Sequence, residues 1–156
     1  GIVNSAGAFT LAPFTETDPH DFDAQLGANL RGPFLVTRAF LPAMLERGSG
    51  HIVNIGSIAG RLAMPGNAAY SASKFGLRGL HEVLAAELRG TGVRATLIEP
   101  AATDTPLWDA VNPDARDDLP SRSQMLGPDD VARAILFALE QPGSVEVSHL
   151  AVQAAF

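Results

Sequence analysis

Two apolar runs set far apart along the chain constrain its fold more than any other feature. His51-Ile52-Val53-Asn54-Ile55-Gly56-Ser57 and the segment from Val93 to Glu99 each read as a buried strand. They are apolar nearly throughout rather than alternating, the mark of parallel strands covered on both faces. Between them, Ala68 to Arg89 carries apolar and small residues at helical spacing. A strand, a long helix and a second strand in that order form a parallel unit whose helix crosses back over the sheet.

The pattern extends in both directions. Gly1-Ile2-Val3-Asn4 reads as the tail of a strand, and Asp18-Pro19 starts a helical pattern through Phe22, Leu26, Leu30, Phe34 and Leu35. Pro128-Asp129-Asp130 starts a last helix, and Ser144 to Val152 alternates as a final strand. The expected fold is a single domain over residues 1–156, α/β, with a doubly wound parallel sheet in a three-layer α/β/α arrangement.

Composition excludes several functions. The chain has 156 residues, 46% of them hydrophobic and 18% charged, enough to bury roughly 70% of its unfolded surface. Its net charge of −6 and lack of a basic patch argue against nucleic acid or an anionic membrane as partner. There is no cysteine, no apolar stretch long enough to span a bilayer and no signal-peptide pattern, so a cytoplasmic location is expected. His20, His51, His81 and His149 are dispersed, and Asp114, Asp117 and Asp118 read as a solvated charge run, so no metal site is assigned.

Chemistry concentrates on Tyr70-Ser71-Ala72-Ser73-Lys74, within the long helical pattern. Four residues rise about 6 Å and turn slightly more than once, so phenol and ammonium leave the same face. A phenol titrating near 10 is a poor base at neutral pH, and a nearby cation is expected to lower that value. The pair then suits proton transfer in carbonyl/alcohol interconversion. Ser57 ends its strand, where a hydroxyl that both donates and accepts can hold a substrate oxygen. A nucleophilic serine is the weaker reading, since Gly56-Ser57-Ile58-Ala59-Gly60 is not a G-x-S-x-G elbow and no histidine is placed as its base. Pro33 removes a helical hydrogen bond and clashes one turn back, at Asn29, so a distortion is expected there. The carbonyl it frees could hold a water.

Asn29, Ser57, Tyr70 and Lys74, in that order and at those spacings, resemble the catalytic tetrad of the short-chain dehydrogenase/reductase family. Asn4-Ser5-Ala6-Gly7 after the first strand and Pro100 after the third fall in register with it, and the resemblance covers essentially the whole chain. It implies an oxidoreductase passing a hydride between NAD or NADP and a small-molecule alcohol or carbonyl. Tyr70 would transfer the proton, Lys74 would lower its pKa and hold the nicotinamide ribose, Ser57 would fix the substrate oxygen, and Asn29 would support a water relay. Cofactor contacts are implied at Asn4, Ala6, Gly7, Tyr70, Lys74, Pro100, Ala101, Thr103 and Thr105. The family has a second Asn at Ser5 and a Gly at Ala101, both departures here. Residues 103–127 resemble a substrate lid, with Leu107 and Trp108 facing the substrate. The helices containing Asn29 and Tyr70 would pair into a homodimer or homotetramer.

The resemblance also sets an expectation about extent. The element order matches the second half of a Rossmann domain, and no Gly-rich turn of the type G-x-G-x-x-G follows a strand. At about 30 residues per strand-helix unit, roughly 90 residues would lie before Gly1, making the chain N-terminally truncated. The alternative is a catalytically silent fragment or oligomerisation module that keeps the tetrad as inherited architecture.

Overall fold

The computed structural model describes residues 1–155. Strands β1 (Ile2–Asn4), β2 (Gly50–Ile55), β3 (Val93–Pro100) and β4 (His149–Val152) form one parallel sheet, ordered as they occur in the chain. The register pairs Val3 with Val53, Val53 with Thr96 and Ile98 with Leu150.

Alternation along the strands assigns the layers. Ile52, Val93 and Ala95 face a core built with Met44, Leu84 and Leu88 from the helices on that side. Residues one step along, such as Arg94 and Thr96, face the other side, where the Arg94 guanidinium donates to the Gln141 carbonyl just past the last helix. Helices α1 (Pro19–Leu26), α2 (Gly32–Arg47) and α3 (Ala68–Glu87) cover the first face, and α4 (Pro128–Leu139) covers the second. The fold is therefore a three-layer, Rossmann-like α/β sandwich. No helix among the described residues is long and apolar enough to cross a membrane.

Local chemistry explains the element ends. Asp18 caps α1, its Oδ1 accepting from the His20 N–H at 2.7 Å with Pro19 in the first turn. The distortion expected from Pro33 takes the form of a π turn, Gly27–Arg31, between α1 and α2. Gly48 ends α2 at φ 63°, and a Cβ on Gly92 (φ 81°) would lie 2.0 Å from the Gly48 carbonyl oxygen. Only glycine fits at residue 92, where the turns before β2 and β3 cross.

The final strand is shorter than the sequence suggests, four residues instead of the span from Ser144. The cause is competition from β3 side chains. Arg94 donates to the Val145 carbonyl, the Thr96 hydroxyl donates to the Val147 carbonyl at 2.6 Å, and Glu146 Oε1 accepts from the Ala95 N–H. The backbone before residue 148 is thus held by side chains instead of a ladder, which starts where the Leu97 N–H reaches the Ser148 carbonyl.

Candidate functional site

The carboxyl ends of the strands open into a cleft of about 790 Å³. Ser57 follows β2, Pro100 to Thr105 follow β3, and α3 runs beneath. Ala69, Ser73, Lys74, Leu77 and His81 form the buried face of α3, and Tyr70 stands over the cleft beside them.

Lys74 is 6% exposed. Its Nζ donates to the Ile55 carbonyl at 2.9 Å and lies 5.5 Å from the centre of the Tyr70 ring. Burial lowers its pKa from 10.5 to about 8. Burial also raises the Tyr70 phenol above its usual 10, the Ser57 hydroxyl pulling the other way. This corrects the expectation of a phenol depressed by its cation. Lys74 gives one donor to the Ile55 carbonyl and sits against the ring face, so removal from water dominates at the hydroxyl. The Ser57 Oγ accepts from the Ala59 N–H at 3.1 Å, and among the described residues no histidine bonds to it, so no hydrolase dyad forms.

Asn29 is fully buried in the π turn and its side chain is fully engaged. Oδ1 accepts from the Ala8 N–H at 2.8 Å, while Nδ2 donates to the Ala8 carbonyl and to Ser73 Oγ, both at 2.9 Å. The side chain braces the segment after β1 against α3, one residue from Lys74. Among the expected cofactor contacts, Gly7, Tyr70, Lys74, Pro100, Ala101, Thr103 and Thr105 line the cleft. Asn4 and Ala6 do not. Asn4 donates sideways to Asn54 Oδ1 at 2.8 Å, and Asn54 Nδ2 meets His81 Nδ1 at 3.2 Å, a polar chain running through the core. Ser5 takes its place at the cleft wall.

The 103–127 segment is more ordered than its composition suggests. Its base is pinned by a bridge between Thr103 and Leu126, and three 3-10 turns follow one another between them. Arg122 reaches back to Asp104, Asp109 and the Thr105 carbonyl.

Two contributors escaped the sequence reading. Phe9 meets Tyr70 edge to face at 4.9 Å and Trp108 at 4.8 Å, linking the 103–127 segment to the phenol. Glu99 is fully buried and bonds Arg61 at 3.3 Å, Arg78 at 2.9 Å and His149 at 2.9 Å. A carboxylate inside an otherwise apolar strand was a visible signal for Glu99. Phe9 had none, because its partners come from distant segments.

The family described as short chain dehydrogenase matches residues 1–116. An uncharacterised oxidoreductase of Staphylococcus aureus is 36% identical over 152 residues, 97% of this chain and 63% of that protein. Serine dehydrogenase from Escherichia coli is similar in structure, with a TM-score of 0.80, 33% identity, and coverage of 96% of this chain and 61% of that one. A metagenomic short-chain oxidoreductase solved with NADP superimposes with a TM-score of 0.77 at 34% identity, covering 99% and 61%. The chain thus spans a little over three fifths of the length of the relatives it matches.

Proposed function

The chain belongs to the short-chain dehydrogenase family, and on that premise we propose that it moves a hydride between NAD(P)(H) and an alcohol/carbonyl substrate, using Tyr70, Lys74, Ser57 and Asn29. The observation that carries this reading is the ammonium of Lys74. It is buried at the cleft floor with a single protein acceptor among the described residues, the Ile55 carbonyl. An ammonium has three donors, so two remain for a ligand rich in hydroxyls, which fits the ribose of a nicotinamide nucleotide. Pro100, Ala101, Thr103 and Thr105 would flank the nicotinamide. The NADP in the metagenomic relative supports this choice of cofactor.

When bound, the nicotinamide supplies or accepts the hydride. The protein's part is the proton. In carbonyl reduction the Tyr70 O–H gives its proton to the substrate oxygen, which Ser57 holds, and the resulting phenolate is stabilised by Lys74. Burial raises the Tyr70 pKa, so at neutral pH the phenol carries the proton that carbonyl reduction consumes. Asn29 acts by bracing, since its side chain is consumed by Ala8 and Ser73.

The test is titration with NADPH and NADH, with carbonyl reduction assayed for the chain and for Tyr70→Phe. Saturable binding and a loss of turnover of about 10³-fold or more in the variant are expected. A folded chain that binds neither nucleotide would favour the second reading, a silent interaction module. That reading has its own support in the exposed Phe34 and Phe40 of α2 and Phe75 and Val83 of α3. The same apolar faces support homodimer or homotetramer assembly through these helices, which light scattering would measure. A cytoplasmic location goes with this reading, supported by the absence of cysteine.

A further inference from the structure

The cleft is lined by charges of only two kinds among the described residues, the Lys74 ammonium and the Asp118 carboxylate. Lys74 sits at the floor, bonded to Ile55. Asp118 sits at the rim, where Arg116 binds both its oxygens at 3.0 and 2.7 Å. Three arginines that do not line the cleft are each paired with carboxylates. Arg61 and Arg78 are bonded to Glu99, and Arg122 to Asp104 and Asp109. Among the described residues no guanidinium lines the cleft.

The remaining walls of the outer cleft are apolar. Phe9, Met64, Leu107, Trp108 and Leu119 line it, and the edge-to-face chain from Tyr70 through Phe9 to Trp108 sets aromatic surfaces at the depth of the phenol. A flat apolar group can pack there, while a carboxylate or phosphate set against these outer walls, away from Lys74 at the floor, would lose water without gaining a partner.

We propose that the substrate is an uncharged carbonyl or alcohol carrying an aryl or similarly flat apolar group, and that the cleft discriminates against carboxylated analogues. This rests on the oxidoreductase reading for the carbonyl, but the selectivity is a property of the walls.

The sole tryptophan of the chain is Trp108, in the cleft wall, so its emission reports occupancy without cofactor or turnover. The purified chain is titrated with phenylacetone and with phenylpyruvate, which differ in a methyl against a carboxylate beside the same ketone, with correction for ligand absorption. Saturable change with phenylacetone, and binding of phenylpyruvate at least roughly tenfold weaker, is the expected result. Leu107→Arg, which adds an unpaired cation at the wall, should narrow that ratio. Equal or tighter binding of phenylpyruvate to the unaltered chain would overturn the proposal, and so would no response to either compound. Because no step requires NAD(P)H, failure of the hydride-transfer reading alone would leave these results unchanged.

Discussion

Lys74 shows how a single side chain can serve the site at the expense of the fold. Lowering an ammonium from 10.5 to about 8 corresponds to a burial penalty on the order of 3 kcal/mol. Its hydrogen bond to Ile55 returns about 2 kcal/mol. Lys74→Met, nearly isosteric, is therefore expected to raise stability at pH 7 by about 1 kcal/mol, a few degrees in melting temperature, while cofactor binding and turnover collapse. The native pKa lies below the unfolded one, so between about pH 8 and 10.5 the unfolded chain holds the extra proton and the native protein gains stability as pH rises. The advantage of the variant should vanish and then reverse over that interval. Thermal melts at pH 7 and pH 9.5 check both points, and a variant less stable at pH 7 would sink the idea.

At the scale of elements, α3 was legible and its surroundings only partly so. The 3.6-residue period put Tyr70, Ser73, Lys74, Leu77 and His81 on one side of a helix, and that side is the one α3 buries. The start of β4 could not be read, because Arg94, Thr96 and Glu146 decide it through bonds across the sheet. The close seat of the Ser57 turn on α3 is likewise a matter of non-local packing. A Cβ on Gly60 would come within 2.9 Å of the Lys74 carbonyl oxygen and 3.2 Å of its carbon. Gly60→Ala is expected to destabilise by about 1–3 kcal/mol. Displacing Ser57 relative to Tyr70, it should also lower kcat/KM for carbonyl reduction by roughly tenfold or more. Unchanged kinetics in a destabilised variant would mean that the seat serves packing alone.

Over the whole molecule, the polar side chains of the sheet act as cross-ties. Glu99 gathers the loop after Ser57, the middle of α3 and the start of β4 at one carboxylate. His51 ties β2 to β3 and onward to the segment before β4. Because the Thr96 hydroxyl gives its proton to Val147, it must accept from His51 Nε2, which leaves His51 Nδ1 as a buried acceptor without a partner. Burial first, and then the charge of Arg94, lower this imidazole to about 4. The native pKa is below the unfolded 6.5, so the unfolded chain takes up the proton first as pH falls. Between pH 6.5 and 5 the fold should lose on the order of 2 kcal/mol from His51 alone. His51→Gln should flatten that part of the stability curve, as denaturant melts across the interval would reveal; a curve of the same slope in the variant would assign the acid sensitivity elsewhere. The path of the chain is also a whole-molecule matter. The sheet keeps adding strands in one direction while α4 passes to the opposite face from α2 and α3, so its crossover is opposite in hand to the two before it. The segment from Ala101 to Gly127 has to travel over the carboxyl edge to make that passage, and this is why the same residues roof the cleft.

Strand order that repeats chain order has a consequence for synthesis as well as for shape. Each of β2, β3 and β4 pairs with the strand made just before it, so each emerges from the ribosome when a partner for it already exists.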